Sequence, residues 1–164
     1  MRTKKLALNS MLLVVALILS YVESLIPLSF AVPGIKMGLP NIAILFVLYK
    51  SGWKNACVIS LVRVVLVSVL FGNLFSMVYS LAGAALSLLV MILLKRCGKF
   101  GTAGVSVAGG VAHNAGQIMV AMLLLETAEI GYYLPVLCIT GTVAGICIGL
   151  VSSLLIRRIS IKES

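Results

Sequence analysis

Six apolar runs follow one another along this chain, near residues 6–27, 37–49, 55–72, 74–94, 103–125 and 132–156. The hydrocarbon core of a bilayer is about 30 Å thick, and roughly 20 helical residues cross it. Most of these runs are of that length, and the breaks between them are too short to fold into anything of their own. The expected architecture is therefore all-α: a single transmembrane domain over residues 1–164, built as a six-helix bundle. Composition agrees, since 62% of the residues are hydrophobic and 10% are charged. A soluble domain carries about 25% charge and could not hide this much apolar surface.

The formal net charge is +9. In a soluble chain that would suggest nucleic acid, but here the basic residues stand between apolar runs, which is the placement that membrane topology produces. Arg2, Lys4 and Lys5 precede the first run, and Lys36 follows it. Lys50 and Lys54 follow the second, and the neutral Gly72 and Asn73 follow the third. Lys95, Arg96 and Lys99 follow the fourth, Glu126 and Glu129 the fifth, and Arg157, Arg158 and Lys162 the last. Basic and neutral or acidic breaks alternate if the short second run crosses fully, with Pro40 in its first turn, where a missing N–H costs nothing. Six spans with both termini in the cytoplasm satisfy the rule that basic loops stay inside. No small-x-small cleavage site follows the first run before Glu23, so it reads as a retained helix. The chain is expected in a cell membrane as a multi-pass protein, in bacteria the cytoplasmic membrane.

Small residues recur at four-residue spacing: Ala16, Ser20 and Ser24; Gly83 and Ser87; Gly141, Gly145 and Gly149. This spacing lets helix backbones approach closely inside a membrane. It serves packing within the chain, or a partner-docking face on the first run. The four cysteines form no CxxC pair, and no metal or other cofactor is expected.

Function is read from the few polar groups that a bilayer should exclude. An ionisable side chain at bilayer depth costs about 2.5–3.5 kcal/mol on insertion scales, so it faces a cavity or a partner. Arg63 lies mid-way along the third run. It either makes an internal salt bridge or offers a guanidinium to a carboxylate or phosphate. His113, Asn114 and Gln117 form a polar patch on one helix face, thinned by Gly109, Gly110 and Gly116. Lys36 and Asn41 flank the start of a helix whose free N–H groups favour anions. Glu23 either pairs with Lys36 or Arg63 or contacts a ligand. These seven residues are the candidate substrate-binding set; no catalytic set is expected.

At these positions the chain resembles a known family. Lys36-x-Gly38-Leu39-x-Asn41, Arg63-Val64 with Phe71-Gly72, Ser80-Leu81-x-Gly83, and Gly104-Val105-Ser106 leading to His113-Asn114-x-x-Gln117 resemble the Gx transporter family. That family is also labelled heptaprenyl diphosphate synthase component I. It is similar in turn to the substrate-binding S components of energy-coupling factor transporters. The resemblance implies six membrane helices, N-in and C-in, with a substrate pocket near the outer face and an energising ATPase module with its membrane scaffold as partner.

The synthase label meets a chemical objection. Prenyl-diphosphate synthases hold magnesium with aspartate-rich motifs, and this chain contains no Asp. Ser106 and His113 lie seven residues apart on one helix, a poor geometry for a nucleophile and its base. There is no phosphate-binding Gly-x-x-x-x-Gly-Lys-Ser/Thr loop and no acidic proton relay in the spans. The chain is therefore expected to be a non-enzymatic substrate-binding component for a small anionic organic compound, such as a vitamin or cofactor precursor. It would work with an energised partner or as a homo-oligomer. A non-catalytic membrane subunit of a prenyl diphosphate synthase is the alternative.

Overall fold

A computed structural model describes residues 2–25 and 38–159, with side chains from Leu6 onward. It is helical throughout: α1 (Arg2–Leu25), α2 (Asn41–Lys50), α3 (Trp53–Phe71), α4 (Leu74–Cys97), α5 (Thr102–Leu125) and α6 (Leu134–Arg158), with a 3-10 turn at Ala128–Tyr133 before α6. Local chemistry sets the boundaries. Asn73 caps α4, its Oδ1 accepting the Ser76 N–H at 2.7 Å. Gly98, at φ 68°, ends the same helix in the left-handed conformation that glycine adopts most cheaply. A proline sits in the first turn of α6.

Among the described residues five helices are long and apolar enough to cross a membrane. The second run differs. Its helix has ten residues and is therefore about 15 Å long, half of a bilayer core, and it starts at Asn41 rather than near residue 37. What it lacks in length it makes up in enclosure. Residues 43 to 48 are consecutively buried, a pattern that no helix with one solvated or lipid-facing side can show. Ile44, Leu45 and Leu48 pack with Ala56 and Ile59 of α3, Leu88 and Met91 of α4, and Val105 of α5.

The polarity of the molecule is inverted relative to a soluble protein. Val69, Leu123 and Leu6 are exposed, while Ser60, Ser80, Ser87, Ser106, Asn114, Gln117 and Ser152 are buried. An outer surface of bare aliphatic side chains over an interior of small and polar ones is what a lipid solvent favours. This is the construction of a multi-pass membrane protein.

Contacts along the helices fix their relative directions. Gly116 meets Ala82 and Gly83, while Gly109 meets Met91, so α4 and α5 run antiparallel. Gly110 meets Gly141, Gly145 meets Val107 and Gly149 meets Ala103, so α5 and α6 do too. Tyr21 stacks near Phe71 with ring centroids 5.3 Å apart, making α1 parallel to α3. At the far end Lys95 of α4 donates to the Leu48 carbonyl of α2 at 2.6 Å. The outcome is polarised in charge. Among the described residues every Lys and Arg except Arg63 lies at the end holding the α1 and α3 N-termini and the α2, α4 and α6 C-termini. Glu23, Glu126 and Glu129 lie toward the other.

Candidate functional site

Because α2 is short and buried, its N-terminus lies inside the bundle. The chain reaches it through a tight turn: Gly38 takes φ +75°, its carbonyl accepts the Asn41 N–H at 2.8 Å, and Pro40 stands just before the helix. Glu23 of α1 holds this turn by accepting the Gly38 N–H. Beside the turn is a narrow, partly open cleft between α2, α5 and α6.

Gly38 and Asn41 line one wall. Ser106, Gly110, His113 and Asn114 line the second, with Gly109 beside them, and Gly141, Gly145 and Ile148 of α6 the third; Met91 reaches in from α4. The α5 residues follow the i, i+4, i+7, i+8 rhythm of one helix face. Glycine draws these walls together: a β-carbon at 109, 110, 141 or 145 would come within 2.6–2.7 Å of an atom on a facing helix. Among the described residues no carboxylate lines it, and the N-terminal end of α2 stands beside it, its first N–H groups taken by the carbonyls of Gly38, Leu39 and Pro40. Among the described residues no three His, Cys, Asp or Glu gather in a metal-binding group.

Of the seven expected residues, three meet in this cleft: Asn41, His113 and Asn114. Asn114 is also part of the wall's structure. Its Nδ2 donates to the Leu137 carbonyl of α6 at 2.7 Å, and a β-carbon on Gly141 would sit 2.7 Å from that nitrogen. Glycine at 141 is thus what lets the amide cross. The ring of His113 lies against Gly83 of α4, with Cε1 3.2 Å from where a β-carbon would be.

The remaining four fall elsewhere. Gln117 is buried but turned toward α4, its Cγ against Gly83, and its Nε2 has no hydrogen-bond partner among the described residues. Arg63 is 8% exposed within α3 and does not line the cleft. Glu23 stands outside the lining and holds the Gly38 turn. Lys36 lies outside the described residues. What the expected set lacked is the α6 wall. Gly141, Gly145 and Gly149 read from sequence as packing residues and pack closely on α5; the first two also line the cleft.

No curated protein and no solved structure matches the chain. A family comparison does match, over residues 12–155, so the interval containing the cleft and both of its long walls is covered. On that match the chain belongs to the family described as heptaprenyl diphosphate synthase component I, the Gx transporter family that its motifs resemble.

Proposed function

We propose that this protein is the substrate-binding membrane component of a transporter, and that its cleft takes a small anionic organic compound. The observation that carries the reading is the position of α2. A half-length helix starts inside the bundle, beside Asn41, His113 and Asn114, in a cleft that no described carboxylate lines. Broken or short helices that begin at bilayer depth turn the positive end of their dipole toward anionic substrates. The charge polarity supports an orientation with both termini and the basic end in the cytoplasm. The segment containing α2 then completes a six-span path, and the cytoplasmic membrane is the expected location. The chain has no Asp and no phosphate-binding loop, so an ATPase module with its scaffold, or a homo-oligomer, would complete the transporter. No catalytic step is assigned to it.

Native mass spectrometry of the gently extracted full-length chain should find a retained small molecule. Asn41→Ala and His113→Ala should weaken its binding by about tenfold each, the scale of one lost polar contact. Equal affinity for the retained acid and for its neutral amide or ester would remove the anionic element of the proposal. The family description favours a second reading, a non-catalytic membrane subunit of a prenyl diphosphate synthase. On that reading the chain co-purifies with an aspartate-rich soluble synthase, raises its activity, and retains no ligand.

A further inference from the structure

The basic end of the molecule contains two kinds of cation. Lys95 is committed internally: its ammonium donates to the Leu48 carbonyl and lies 4.8 Å from the centre of the Tyr49 ring. Lys54 and Arg96 are both exposed and converge on one indole. The Lys54 Nζ lies 5.7 Å and the Arg96 Cζ 5.9 Å from the centre of the Trp53 ring. Two like charges on neighbouring helices are thereby held near each other, and no described carboxylate lies at this end to neutralise them. Gly52 supplies no side-chain cap to α3, so the first N–H groups of that helix add to the positive field.

Depth identifies the occupant. Trp53 is the first residue of an apolar spanning helix and is about half exposed, the level at which indoles sit among lipid headgroups. Along the same two helices the outward residues turn aliphatic at once: Val58 and Leu61 on α3, Leu93 on α4. A cationic pair over an aromatic ring, with bare aliphatic surface behind it, matches a phosphodiester attached to acyl chains. An acidic protein segment would match the charge but not the aliphatic surface. We infer that Lys54, Arg96 and Trp53 form a binding site for the headgroup of an anionic phospholipid.

Trp53 is the only tryptophan in the chain, so its fluorescence reports this site and no other. The full-length protein is reconstituted in phosphatidylcholine vesicles, and brominated phosphatidylglycerol or brominated phosphatidylcholine is titrated in as quencher. Phosphatidylglycerol should be preferred by about fivefold for each cation at low salt, and the preference should fall as salt rises. Lys54→Gln/Arg96→Gln should bring the two lipids to parity. Arg157→Gln/Arg158→Gln, an equal loss of exposed charge at the same end, should leave the preference in place. Parity in the unmodified protein would overturn the inference. So would an equal loss in both double variants, which would mean diffuse charge, or a response to a polyglutamate peptide without any lipid preference.

Discussion

Helices α5 and α6 meet backbone to backbone, whereas α1 meets its neighbours through side chains along one narrow line. On the first seam a β-carbon added at Gly110, Gly145 or Gly149 would come within 2.7 Å of main-chain atoms of the facing helix. On the second, α1 buries only Ala16 and Ser20 among its described side chains. Both seams use small residues at four-residue spacing, and the spacing alone does not separate them. The difference is in what stands opposite. Main chain cannot rotate aside, so the glycine seam has one geometry, while the α1 contact can adjust by rotamer changes.

The contrast can be broken most directly at Gly145→Ala. The new methyl would lie 2.7 Å from the Val107 Cα, so α5 and α6 must separate. The expected loss is about 3 kcal/mol, at the upper end for overpacking, read as a lowered unfolding midpoint in detergent. A cost near zero would mean that the seam yields and the comparison fails. Lys95→Met tests the tie between the halves. It removes a charged hydrogen bond to the Leu48 carbonyl, and about 2 kcal/mol is expected. Faster hydrogen exchange in α2, with α6 unchanged, would localise the loss. The smallest effect is expected for Ile18→Ala on α1, which is 55% exposed. Its stability should stay within about 0.5 kcal/mol of the unmodified protein, as for surface sites generally. A larger drop would show that α1 is packed more tightly than its exposure suggests.

Much of the helical layout could be read before any coordinates, because lipid imposes length and charge rules that a sequence displays openly. The five long helices fall close to the apolar runs that announced them. The second run was harder to place. Ile42 to Leu48 is apolar on every side, and such a run fits a spanning segment or an enclosed short helix equally well; burial by α3, α4 and α5 decides it. The site was legible in its residue types more than in its grouping. His113 and Asn114 stand out because polar groups are costly in a bilayer; Gln117 packs beside the His113 ring against Gly83 of α4 and does not line the cleft. The contribution of α6 was hidden because a glycine that also lines a cleft and one that only closes a seam look alike in sequence.

The glycine seam also restricts how a cleft of this kind can diversify. Gly110, Gly141 and Gly145 cannot accept side chains without prising α5 from α6, so that wall is closed to variation by substitution. Asn114 is held by the same constraint, since its amide crosses above Gly141. The positions left to vary are Asn41 and Leu45 on the short helix, Met91 on α4, Ser106 and His113 on α5, and Ala144 and Ile148 on α6. Relatives that share this fold but differ in what they accept should therefore differ at those few side chains and agree along the seam. Selectivity in such a lineage would be rewritten at the rim while the spine stays fixed.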